Sequence, residues 1–213
     1  MPVALGAQLI YDAHHMSATT ARRTAPSRKE VTHERIVGAA ARAIRRSGYD
    51  GTGVADIMKE VGLTHGGFYA HFASREAMLA EAADRAGAES VATLTRVAAT
   101  APQQGALRSM IRAYLSKEHV DVAETGCPVA AVGSETPRQA PKVRRAATRR
   151  IKEVIDVVAR HSPDRKDPRV YEHALVTVAT MVGAVVLARA VDDPKLSEAL
   201  RKASLKHFDR TGT

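Results

Sequence analysis

No tryptophan occurs among the 213 residues of this chain, and aromatic residues make up only 4% of it. Strands draw on aromatic and β-branched side chains to cover a pleated surface, so a mainly β fold is disfavoured. The abundant Ala, Leu, Arg and Glu favour helices instead. A single cysteine, Cys127, excludes an intramolecular disulfide framework and points to a reducing, cytoplasmic setting. The longest uncharged apolar run, Ala174 to Ala188, covers 15 residues, which is short for a bilayer span. The N-terminus lacks a secretory pattern, a basic stretch followed by an apolar one and a cleavage site. The histidines His14, His15, His33, His65, His71, His119, His161, His173 and His207 show no metal-ligand spacing such as H-E-x-x-H, and Cys127 has no identifiable catalytic histidine. Neither a cofactor nor an enzymatic activity is expected.

What the chain does have is apolar content and positive charge. Hydrophobic residues reach 45%, enough for a sizeable core, and the formal net charge is +9. Such a balance suits a polyanion, nucleic acid first and an anionic membrane surface second, although no long basic amphipathic helix favours a membrane. The charge is concentrated. Ser17 to Arg46 carries eight Arg or Lys against two Glu, whereas Asp50 to Glu76 is net acidic. A basic arm leading into a folded module is the electrostatic footprint of a DNA binder.

Residues 1–27 show no amphipathic period and read as a flexible basic leader, within which Met16 is an alternative start to Met1. From Val31 to Ser47, the residues Ile36, Val37, Ala40, Ala43 and Ile44 recur at helical spacing, with Thr32 as the expected N-cap and Gly48 as the expected C-cap. A turn at Tyr49 to Gly53 leads to a short helix that carries Val54, Ile57, Met58 and Val61 inward and stops at Gly62. Thr64 is expected to cap another short helix, Thr64 to Phe72, and Ser74 a longer one bearing Met78, Leu79, Ala82 and Ala83. Helical patterning then continues to the end, broken at Ala101-Pro102, Gly126-Cys127-Pro128, Pro137 to Pro141, Ser162 to Pro168 and Asp192-Asp193-Pro194. No strand period and no internal repeat stands out.

The segment Thr52 to Leu79, TGVADIMKEVGLTHGGFYAHFASREAML, resembles the helix-turn-helix of the tetracycline-repressor (TetR) family of regulators. The features that carry the likeness are an isoleucine-bearing first helix, Gly-Leu-Thr at the turn, Gly-Phe-Tyr-x-His-Phe, and then a basic residue and a leucine. Gly62 permits a tight left-handed turn, and Leu63, Phe68 and Phe72 would staple the second helix onto the first. Met58 departs from the pattern, since a small residue is usual four places before the turn glycine. The resemblance extends over about 48 residues, Arg28 to Arg75. It implies an all-α protein with a tri-helical helix-turn-helix domain, residues 28–75, and a larger helical domain, residues 76–213, for effector binding and dimerisation.

Individual roles follow from the same resemblance. Thr64, at a helix N-terminus that faces the duplex, offers N–H groups to phosphate. His65 is best placed for a base edge, and Gly66 and Gly67 let the backbone approach. Tyr69, His71 and Arg75 would touch phosphates, and Thr32 and Thr52, each expected to cap a helix, would add hydroxyl or N–H contacts, with Arg28 at the start of the module. Such contacts hold register and say little about sequence. The implied partners are an operator duplex, an unidentified small-molecule effector and a second copy of the chain, paired through residues 170–208. The implied mechanism is a repressor that holds a palindromic operator until its effector binds. An activator or an architectural binder using the same module stays open.

Beyond Glu81 the residues are less telling. Val170 to Val191 is apolar nearly all round and should be buried on several sides. Met110, Tyr114, His119, Cys127 and Met181 are candidates for an effector pocket, each with ordinary packing as its alternative. Cys127 precedes Pro128, which suits the first turn of a helix, so both a reactive thiol and a small packed hydrophobe fit. The basic run Lys142 to Lys152 reads as a solvated helix face. Attraction for an anionic ligand or for DNA are its other readings.

Overall fold

The computed structural model describes residues 25–102, 105–162 and 167–211. The leader up to Thr24, with Met16 and the His14-His15 pair, lies outside the described residues. All regular elements among those described are helical, in agreement with an all-α class.

α1 (Arg28–Ser47) begins earlier than its apolar stripe suggests. Ser27 is the N-cap: its Oγ accepts from the Glu30 N–H at 3.2 Å, while Glu30 Oε2 accepts from the Ser27 N–H at 2.6 Å. Thr32, expected to be the cap, lies inside the first turns, and its hydroxyl donates to the Arg28 carbonyl at 2.9 Å. The capping box upstream satisfies the first orphan N–H groups, so the helix extends back through it. The stripe Ile36, Val37, Ala40, Ala43 and Ile44 is buried as the period predicts. The helix stops at Gly48, whose φ of 76° is open to glycine at little strain.

α2 (Val54–Glu60) is preceded by Gly53, which caps it without a side chain. Thr52, the other expected cap, is 1% exposed, and its hydroxyl donates to the Gly48 carbonyl at 2.7 Å. The α2 C-terminus is a Schellman turn. Gly62, φ 72°, donates to the Lys59 carbonyl at 3.0 Å, and the Leu63 N–H reaches back to the Met58 carbonyl at 2.8 Å. Arg35 from α1 donates to the Val61 carbonyl at 2.8 Å, satisfying another helix-end acceptor.

The expected helix from Thr64 to Phe72 is a 3-10 helix, His65–Ala70. Two adjacent glycines lower helix propensity by about 1 kcal/mol each, which limits the segment to a short, tight turn. Ser74 caps α3 (Arg75–Thr100), accepting from the Ala77 N–H at 3.2 Å. α3 runs through both cores. Its first half, Met78 to Ala86, joins α1, α2, Phe68 and Phe72 with Val132, Val143 and Ala146. Leu94 and Ala98 join the second core of α4 (Ala106–Tyr114), α7 (Pro141–His161), α8 (Val170–Ala190) and α9 (Pro194–Thr211). Between α4 and α7 lie α5 (Lys117–Asp121), α6 (Pro128–Val132) and short 3-10 turns. Prolines start α6, α7 and α9, where a missing N–H is harmless.

α3 and α7 pack tightly at Gly87, where an added Cβ would lie 2.4 Å from the Arg150 Cβ. α8 corrects a sequence expectation. The 15-residue uncharged run belongs to a 21-residue helix, long and apolar enough to cross a membrane by length and composition alone. One face, Ala174, Thr177, Met181, Ala184, Val185 and Ala188, is buried in the second core. The opposite face is not. Tyr171, Leu175, Val176, Val186 and Leu187 are exposed, Val176 by 59% and Leu187 by 53%.

Candidate nucleic-acid interface and effector cavity

The two turns around α2 build a protruding ridge. Phe68 and Phe72 are buried, their rings stacked at 5.4 Å, and Met58 lies fully buried beneath Gly67. The methionine therefore fits without displacing the ridge, because its flexible side chain fills the space that Gly67 leaves. With those anchors turned inward, Thr64, His65, Gly66 and Tyr69 face outward, Tyr69 by 69%. No side chain would meet a Cβ added at Gly66. Thr64 holds the N-cap position with its hydroxyl uncommitted to the helix. His65 and Tyr69 stand with ring centroids 6.4 Å apart.

The other residues expected at the interface are placed differently. Arg28 is exposed beside Lys29. Thr52 has both its hydroxyl and its N–H committed internally, the latter to the Tyr49 carbonyl at 3.3 Å. It offers neither group to DNA. Arg75 is half-buried, and its guanidinium donates to the carbonyls of Thr52, at 3.2 Å, and Tyr49. It clamps the α1–α2 turn to the start of α3. Burial, then His33 and Lys29, push the His71 imidazole below its usual range, and its Nδ1 is buried without a hydrogen-bond partner among the described residues. Neighbouring His33 stacks on Phe72 at 4.5 Å and meets Glu81 at 2.6 Å.

The DNA-reading module is joined to the larger lobe by polar ties that sequence reasoning missed. Arg45, with its side chain 1% exposed, pairs with Glu89 of α3 at 2.8 Å and reaches the Gly126 carbonyl at 3.4 Å. Burial pushes the Glu89 carboxyl up, but hydrogen bonds from Arg45 and Arg85 outweigh it and hold the group below its usual range. The Tyr49 N–H donates to Glu135 Oε2 at 2.9 Å, and the same carboxylate occupies the space where a Gly48 Cβ would stand.

An apolar cavity of about 280 Å³ opens between α3, α6 and α7. Of the five expected effector residues, Cys127 lines it. Met110, Tyr114, His119 and Met181 do not; Met110 of α4 and Met181 of α8 are buried side chains of the second core. Tyr114 and His119 instead brace the Cys127 loop. The His119 ring lies against Tyr114 at 4.5 Å, its Nδ1 meets the Tyr114 carbonyl, and its Nε2 accepts from the Cys127 N–H at 2.9 Å. That arrangement requires a neutral imidazole, and burial, the first cause, together with Arg189 holds His119 below its usual range against the opposing Tyr114 carbonyl. Burial holds the Tyr114 phenol well above its usual range, and the adjacent Cys127 pushes the same way. Arg189 donates to the carbonyls of His119 and Val120.

A tri-helical module with an outward glycine-bearing ridge, carried on a larger helical lobe, defines the class of helix-turn-helix DNA-binding proteins. The model for bacterial regulatory proteins of the tetR family matches residues 36–82, and that for the LmrA/YxaF-like transcriptional regulator C-terminal domain matches residues 103–208. An uncharacterized HTH-type transcriptional regulator of Mycobacterium tuberculosis strain H37Rv is 33% identical over 177 residues, 75% of this chain and 85% of that one. The chain belongs to the TetR family of DNA-binding transcriptional regulators. A TetR transcriptional regulator from Chloroflexus aurantiacus superposes with a TM-score of 0.70 at 25% identity, covering 85% of this chain and 96% of its own. The reduced form of Escherichia coli NemR shares the fold, with a TM-score of 0.72 at 18% identity, 84% of this chain and 96% of that one being covered. α8 thus falls within a regulator domain rather than a separate membrane anchor.

Proposed function

We propose that the chain is a cytoplasmic repressor that binds a palindromic operator as a homodimer and leaves it when a small effector occupies the larger lobe. The observation that carries this reading is the outward ridge Thr64 to Tyr69, rigidly backed by Phe68, Phe72 and Met58. His65 reads a base edge, Gly66 and Gly67 admit the backbone, and Thr64 and Tyr69 hold phosphates. Arg28 adds charge alongside, while Arg75 acts by fixing the turn.

Dimerisation runs through α8 and α9. Leu175, Val176, Ala179, Val186 and Leu187 form an apolar stripe on the face of α8 turned away from its own core, and no side chain lies within 4 Å of a Cβ added at Gly183. An exposed stripe of this kind needs a cover. A second copy supplies it, which brings two ridges to half-sites about 34 Å apart.

Selection of duplexes from a random pool by the full-length protein tests the reading. A palindromic consensus is expected, with affinity falling steeply as salt rises. Tyr69→Ala should weaken all duplexes alike, and His65→Ala should relax preference at one base position by about 1–3 kcal/mol. Equal binding to every duplex would instead favour an architectural role.

A further inference from the structure

The cavity between α3, α6 and α7 has a wall that belongs to the DNA-reading module itself. Tyr49, in the turn after α1, lines it together with Ser90, Cys127, Val129, Ala147 and Ile151. The ring of Tyr49 is almost fully buried, and Thr136, whose hydroxyl donates to the Val132 carbonyl, lines the cavity with it. The Tyr49 backbone is tied on both sides. The N–H goes to Glu135 in the turn after α6, and the carbonyl accepts from Arg75 and from the Thr52 N–H. The residues that follow, up to Gly53, lead straight into α2. A molecule pressing on the Tyr49 ring therefore loads the segment that orients α2 and the Thr64 to Tyr69 ridge, without any relay through the rest of the lobe.

The lining also restricts what enters. It contains no Asp or Glu. Its two cations differ: Arg150 is neutralised by Asp84 at 2.6 Å and Glu153 at 2.7 Å, whereas Arg144 stands exposed at the rim with no ion-pair partner among the described residues. Lys142, Arg145 and Arg149 border a separate groove beside Glu34, Glu81 and Asp84, so Arg144 is the unneutralised cation of this cavity among the described residues. An apolar cavity of about 150 Å³ admits benzene, and 280 Å³ suits a body of two fused rings. We propose that this cavity is the effector site, that it takes a small molecule with an apolar body and an anionic group directed to Arg144, and that Tyr49 transmits its occupancy to the DNA-reading ridge.

This inference rests on the repressor reading, but it can be judged apart from it. Calorimetry without DNA, using 2-naphthoate and 2-naphthol as probes, addresses the site. 2-Naphthoate is expected to bind the full-length protein more tightly than 2-naphthol, and Arg144→Gln to weaken the acid by about threefold while sparing the alcohol. No binding of the acid, or equal affinity for both, overturns the ligand class. On a selected operator, 2-naphthoate should loosen binding about tenfold, and Ala147→Leu, which fills the cavity, should loosen it about as much with no ligand present. In a Tyr49→Leu background the Ala147→Leu effect should shrink to about twofold or less. A folded Ala147→Leu protein that holds operator like the parent overturns the relay. Should that variant unfold, Val129→Phe fills the cavity from the α6 wall. If both unfold, amide exchange of residues 49–53 decides, slowed by 2-naphthoate if the relay exists and unchanged if it does not. Failure to select any duplex would remove the repressor reading while leaving the calorimetric result to stand or fall alone.

Discussion

The two lobes of this molecule hold the same kind of helix and differ in how completely they close on themselves. The DNA-reading module closes its core: Ile36, Ile44, Ile57, Met58, Phe68 and Phe72 are all buried, and its ridge turns Thr64, His65, Gly66 and Tyr69 outward. The larger lobe leaves an apolar cavity beside Tyr49 and an apolar stripe along α8. A surface that must keep one shape against a regular duplex gains from a rigid, fully packed support. A region that admits a ligand and a second subunit needs unfilled space and uncovered surface. The contrast matches the division of labour that the proposed function assigns to the two lobes.

The contrast can be broken by substitution. Phe68→Ala should have the largest effect, since an emptied aromatic site in a closed core costs about 3–5 kcal/mol. Thermal unfolding should show the drop, and the ridge should lose its DNA affinity with it. Glu89→Gln comes next. It leaves the Arg45 charge buried without a counter-ion, for a loss of about 3 kcal/mol or somewhat less because Glu89 itself is half-exposed. Denaturant titration of this variant reads the strength of the tie between the lobes.

A smaller effect on folding, and a large one on assembly, is expected from Val176→Ser with Leu187→Ser. Both side chains are already exposed within one chain, so the monomer should keep its fold within about 0.5 kcal/mol. Sedimentation should show dimer converting to monomer, and an unchanged dimer would move the interface elsewhere. Gly62→Ala should lose about 1 kcal/mol, because a Cβ is strained at φ 72° even though the surrounding space is open. The loss should appear as a lower midpoint of unfolding with the dimer retained.

The smallest effect is a pH slope. The folded protein keeps His119 neutral, so the unfolded chain takes up the proton first and stability should fall as pH drops below about 6.5. Protonated Nε2 can no longer accept from the Cys127 N–H. Asp84 and Glu89, held below their usual range, contribute stability at neutral pH that is lost further down, as their folded-state carboxylates protonate. His119→Asn should reduce the first part of the slope to the share that His71 contributes and leave the second.

Much of this architecture was readable along the chain because it obeys rules of short range. The α1 stripe, the Gly48 and Gly62 stops, the Ser74 cap and the breaks at Pro128, Pro141 and Pro194 each depend on a few neighbouring residues. The same rules misplaced two caps, since Thr32 and Thr52 have the right chemistry for a helix start but Ser27 with Glu30 forms the better one, and Thr52 bonds back to Gly48. The internal bonds of Thr52 and Arg75 escaped the sequence for a different reason. A polar side chain in a turn has many potential partners, and only the packed chain shows that theirs are backbone carbonyls.

What the amino-acid order determined by itself is the helical framework and its glycine stops, each a local constraint on backbone and burial, while the likeness of Thr52 to Leu79 to a known family supplied the class of protein. What tertiary structure alone decided is where empty space and buried charge lie. Helical spacing tells that Met110 and Met181 face inward, yet not whether a neighbour fills the gap beside them. Nor does it show that Arg45 meets Glu89, or that Tyr49 walls a cavity between helices beginning far along the chain. Those facts depend on how separate helices cross, and the crossing is set by side chains, such as the missing one at Gly87, that act only once both helices are in place.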